Sequence, residues 1–150
     1  MAGETQKFYE SKERTVRLNP DGLTPTEMAM IVGLATQLFD GSKIEFKYAL
    51  DRCTFFAEYG YDVLVRLVTN HPHLANPRIE GSDKNPFDQH YWLAVDLVSN
   101  EVPQSITLDP IFGYVGLAEK THNPYYDRKR IVTPHVPAWE GGVRIKTISI

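Results

Sequence analysis

The sequence predicts an α+β domain in which two N-terminal helices pack on one face of an antiparallel β-sheet. Three observations carry that expectation. Two segments with apolar residues at helical spacing, each opened by a capping-box pattern, follow one another over residues 24–60. Runs rich in β-branched and aromatic residues come after them, with no further helical pattern between. The linker "SNEVPQ" joining two of these runs is short enough for an antiparallel hairpin.

The elements come in chain order. Residues 1–13 are polar and read as a loose arm, and "RTVRL" at 14–18 as a short edge strand. Thr24, Pro25 and Glu27 open a helix over 25–39, because Thr24 caps, Pro25 suits the first turn and Glu27 completes the box. Ser42 and Glu45 repeat the box, and Phe46, Ala49, Leu50, Cys53, Phe56 and Ala57 share a face up to Gly60, where the second helix should end. "YDVLVRLV" at 61–68 alternates like a strand. Residues 69–88 hold three prolines and read as one long loop. Strands are expected at 90–98 and 105–109, and again in "RIVTP" and "GVRIKTISI" near the end.

Composition narrows the function classes. A chain of 150 residues is one domain, here 1–150, able to bury roughly two thirds of its unfolded surface. Net charge is −3, so no clustered basic face for nucleic acid is expected. No run approaches the ~18–20 apolar residues of a membrane span. The first twenty residues lack the pattern of a secretory leader. One cysteine excludes an intrachain disulfide, and a cytoplasmic protein is the simplest expectation. The Gly141-Gly142 pair precedes a strand and not a helix, so no nucleotide cofactor is expected. The expected partner is a small-molecule or peptide substrate. Oligomeric state is not legible.

Chemistry concentrates at two strand ends. His90 opens one strand and Asp109, before Pro110, closes the next. Taken singly, each is ordinary: a hydrogen-bonded histidine, and an Asp-Pro turn. As hairpin neighbours they come from the same end of the ladder, where Asp109 can fix the tautomer of His90 as the base half of a nucleophilic triad. Tyr91 and Trp92 beside the histidine, and Phe112 and Tyr114 after the aspartate, are the candidates for touching substrate; Tyr91, Trp92, Tyr125, Tyr126 and Trp139 could line an apolar pocket, though aromatics in a sheet are more often core. His71 and His73 flank a proline without the spacing of the common zinc motifs, and no metal site is expected.

The stretches "HYWLAVDL" and "LDP" resemble the transglutaminase-like branch of the papain-like superfamily, and "LDPIFGY" is similar to the arylamine N-acetyltransferases related to it. The resemblance covers about residues 42–114. It implies a Cys-His-Asp triad in that chain order, acting by acyl transfer through a thioester, and Cys53, His90 and Asp109 have that order. It also implies a cysteine at a helix N-terminus, about fifteen residues before the glycine that leads into the next strand. Counted back from Gly60, that position is Glu45, while Cys53 falls mid-helix among core residues. Three readings stay open. Cys53, His90 and Asp109 form the triad; Glu45 and His90 act as acid and base with no covalent intermediate; or the domain binds a ligand or partner without catalysis.

Overall fold

The computed structural model describes residues 6–10, 15–42, 52–82, 90–99, 101–123, 126 and 129–132, with backbone alone for 52–55 and 129–132. Glu45, Tyr125, Trp139 and the strand expected over 142–150 lie outside the described residues. The class is α+β. Two helices lie on one face of a seven-stranded sheet of order β1-β2-β6-β5-β4-β3-β7.

Strands β1 (Gln6–Glu10) and β2 (Thr15–Leu18) pair antiparallel. The arm expected to be loose therefore contributes a strand, and β2 is not an edge: β6 (Tyr114–Leu117) runs parallel to its other side. That pair makes the sheet mixed and not wholly antiparallel.

Helix α1 (Pro25–Gly41) starts as its sequence directs. Thr24 Oγ1 accepts from the Glu27 N–H at 3.1 Å, and Glu27 Oε1 accepts from the Thr24 N–H at 2.9 Å. Ser99 Oγ donates to the other Glu27 oxygen at 2.8 Å, tying the helix start to the end of β4. Ser42 closes α1, with its hydroxyl donating to Phe39 O and its N–H to Leu38 O. The second capping box, expected from Ser42 and Glu45, needs Glu45, which lies outside the described residues.

Helix α2 (Arg52–Val68) runs through Gly60 without a break. Neither the stop at Gly60 nor the strand at 61–68 forms. Gly60 is a point of close approach: a Cβ there would meet Leu93 Cδ1 at 2.9 Å and the Phe56 ring at 3.2 Å. The β-branched residues that resemble a strand cost a helix only tenths of a kcal/mol each. Burying Phe56, Leu64 and Val68 on one stripe outweighs that.

β3 (Leu74–Ser82) occupies the middle of the segment expected to be a loop. Its pairing with β4 slips between Ala75 and Arg78, and Asn76 has φ 55°. Pro77 sits in this irregularity, where a missing N–H is tolerated. β4 (His90–Leu97) and β5 (Gln104–Asp109) form the expected hairpin, with Leu93 opposite Leu108 and Leu97 opposite Gln104. β7 (Lys129–Val132) pairs antiparallel with β3.

The two sheet faces differ. Tyr91, Leu93, Val95, Leu97, Ile106 and Leu108 join Phe39, Phe56 and Leu64 in the core under the helices. The alternate residues, among them Arg78, Glu80, Ser82, His90, Trp92, Thr107 and Asp109, face the other way. Chain direction decides which ends meet. A five-residue turn joins α2 to β3, so the two run oppositely; β3 and β4 are antiparallel. Helix α2 and β4 therefore run the same way, with their N-termini at one end of the fold.

Candidate active site

Asp109 is fully buried, and each partner of its carboxylate is a donor. Oδ1 accepts from the N–H groups of Ile111 at 3.0 Å and Phe112 at 3.1 Å, an Asp-Pro turn that bonds its own backbone. The chain can then reverse into β6 only through Gly113, whose φ is 76° and where a Cβ would lie 2.6 Å from Thr15 O. Oδ2 takes two contacts, His90 Nε2 at 2.6 Å and Tyr126 Oη at 2.6 Å. Hydrogen bonds to a charged group contribute roughly 1.5–3 kcal/mol each, so this carboxylate is held firmly.

His90 is the first residue of β4 and is 4% exposed. Phe112 stacks on its ring at 3.8 Å between centroids, 13° from parallel. Trp92, two residues along the same face, lies 5.6 Å away. The pairing of His90 with Asp109, expected from the hairpin, is present. With Nε2 directed at Asp109, the ring is held in one orientation.

The remaining candidates separate. Phe112 is brought to His90 and is 41% exposed. Trp92 is on the histidine's face but fully buried, its indole N–H donating to Glu80 Oε1 at 3.0 Å, which in turn pairs with Arg78. Tyr114 stands behind Tyr126, its hydroxyl donating to Leu117 O at 2.7 Å, and burial pushes its phenol up to about 12. Tyr91 is carried to the opposite face, into the core under the helices, away from His90. Cys53 is the second described residue of α2, and residues 43–51 before it lie outside the described residues. His71 and His73 lie in the turn between α2 and β3, at the far end of the sheet from His90. Among the described residues no group of three or more His, Cys, Asp or Glu side chains is placed to hold a metal ion.

Two neighbours of the pair were not legible as such. Tyr126 donates to Asp109 and packs edge-on against Trp92 at 4.8 Å, although nothing in its local sequence marks it out from the adjacent tyrosine. Ser82 is directly opposite His90 on β3, 1% exposed, and its hydroxyl is the buried side-chain polar atom without a hydrogen-bond partner among the described residues. It could not be located while β3 was read as loop. On this same face a cleft of about 850 Å³ runs along β5 from Tyr126 past Thr107 and Ser105 to Val102.

Comparison with protein-family models, with curated proteins and with solved structures finds no match for this chain. Among the described residues no helix is long and apolar enough to cross a membrane.

Proposed function

We propose that this chain is an acyl-transfer or amide-hydrolysing enzyme in which Cys53 is the nucleophile, His90 the base and Asp109 the residue that orients it. One observation carries the reading. Cys53 lies near the N-terminal end of the described part of α2, at the end of the fold that holds the His90–Asp109 pair. From the contact between Gly60 and Leu93, Cys53 is seven helical residues back, about 10 Å. His90 is three strand residues back, also about 10 Å, so the two stand level. His90 is on the sheet face away from α2, so on this reading the two residues act together around the end of the sheet and not through it.

The resemblance to the transglutaminase-like and papain-like proteins supports the same assignment. It does so through the chain order Cys53, His90, Asp109; the family's spacing, counted from Gly60, falls instead on Glu45, which lies outside the described residues. A thiol at a helix N-terminus is favoured as thiolate by the free N–H groups and the helix dipole.

The reaction begins with proton transfer. His90 takes the thiol proton, and the thiolate attacks the substrate carbonyl carbon. The bond to the amine, alcohol or thiol leaving group breaks, and the imidazolium returns its proton to that group. The thioester is opened by water or an amine, whose proton passes to His90 before the thiol is restored. Phe112 holds the imidazole from one side and presents an apolar surface to the substrate. A single cysteine and this chemistry fit a reducing compartment, and we place the protein in the cytoplasm.

The test is acyl capture. Mixed with p-nitrophenyl acetate, the protein should release a burst of p-nitrophenolate and carry one acetyl group on Cys53 by peptide mass analysis. Cys53→Ala and His90→Ala should each abolish the burst. Acetylation confined to lysines, with the burst unchanged in Cys53→Ala, would leave a domain that binds without this catalysis.

A further inference from the structure

Asp109 Oδ2 is shared. His90 Nε2 and Tyr126 Oη both lie 2.6 Å from it, while Oδ1 is occupied by two backbone N–H groups. We infer that Tyr126 is a positioning residue that sets the protonation of His90 by competing with it for one carboxylate oxygen. A carboxylate that accepts a second strong donor offers less negative charge to the first, so the imidazolium is stabilised less. The equilibrium is thereby shifted toward the neutral imidazole, the form able to accept a proton, relative to an Asp109 that His90 did not share. That use of His90 rests on the reading proposed above; the sharing of Asp109 does not.

Tyr126 is suited to the role. It is 6% exposed, its ring is fixed edge-on against Trp92, and burial followed by the Asp109 charge raises its phenol well above the ordinary range, so it remains a donor. The other groups facing His90 do not supply the same effect. From β3 come Ser82, which is uncharged, and Glu80, whose charge is met by Arg78 and by the Trp92 N–H. From β6, Tyr114 lies beyond Tyr126 and donates to Leu117 O. From β7, Lys129 stands opposite Ser82, one strand further from His90 than Ser82 itself, and Arg130 stands opposite Gly81; Cys53 lies toward the same end of the fold in α2. Tyr126 also lines the cleft along β5, so whatever fills that space touches the residue that governs His90.

The experiment is a two-dimensional NMR titration of the histidine rings in the full chain, with His90 assigned by its loss in His90→Gln. In Tyr126→Phe, which keeps the ring against Trp92, the His90 pKa should rise by roughly half a unit to one unit. With 3-fluorotyrosine incorporated at position 126 the donor is stronger and the pKa should fall. A purely structural Tyr126 would leave both values where they are, and an unchanged His90 titration in the fluorinated, correctly folded protein overturns the inference. If Tyr126→Phe fails to fold, the fluorotyrosine protein decides alone. The titration is repeated in Cys53→Ala. A Tyr126 effect that persists there, beside a wild-type protein that forms no acetyl-Cys53, would sink the catalytic reading and leave this inference standing.

Discussion

His90 and Asp109 meet across a hairpin at 2.6 Å, each from the terminal residue of its strand. That contact is fixed by backbone register and not by chance packing. Leu93 opposite Leu108 sets the ladder, and Asp109 is then clamped by its own turn. The imidazole is oriented before any ligand arrives, which is the condition for useful base catalysis.

Ser82 is directly opposite His90 with a buried hydroxyl that has no partner among the described residues. Leaving such a group unsatisfied costs about 1–3 kcal/mol, so Ser82→Ala should leave stability unchanged or raise it by up to about 1 kcal/mol. Urea unfolding measures this. A loss of more than about 1 kcal/mol would show that the hydroxyl has a partner that stabilises the fold.

Gly60 marks where α2 lies closest to β4. Alanine there gains helix propensity of about 1 kcal/mol but must displace the tip of the fully buried Leu93. The predicted net effect of Gly60→Ala is destabilising by about 1 kcal/mol, read from the urea midpoint. An increase in stability would mean that the helix can lift from the sheet, and with it the end that carries Cys53.

Glu27 gives the fold a pH dependence of known sign. The Thr24 backbone N–H holds its carboxyl below the ordinary 4.5, burial opposes this, and the Ser99 and Thr24 hydroxyls assist. A carboxylate depressed in the folded state stabilises above its unfolded value and loses that contribution as pH falls through the folded value. Wild type should therefore exceed Glu27→Gln by about 1 kcal/mol at pH 7, and the gap should close below pH 4.5. A gap that stays constant with pH would assign the effect to shape and not to charge.

Much of this was legible in the sequence because it rests on local rules. The Thr24–Glu27 box, the hairpin around residues 99–104 and the Asp-Pro turn each need only a few neighbouring residues, and all three formed. The failures share a different cause. "YDVLVRLV" has a strand's composition, but the same valines and leucines also make a helical stripe, and packing against Leu93 selected the helix. Pro77 concealed β3 because a proline in a bulge cannot be told from a proline in a loop without knowing the partner strand. Ser82 was missed for the same reason, and Tyr126 reads from the sequence only as one of five aromatics able to line a pocket, not as a partner of Asp109. Their places near His90 depend on β3 pairing with β4, and on a fold-back of the chain after β6 that no local spacing reports.

Whether Cys53 and His90 work as a pair is tested most directly by the rate of Cys53 alkylation by iodoacetamide as a function of pH. Half-maximal reactivity in the native wild type is predicted well below the ordinary thiol value of about 8.5, with a shift up toward that value in His90→Ala. Labelling that appears only after denaturation, or a pH profile that His90→Ala leaves unmoved, would contradict the pairing.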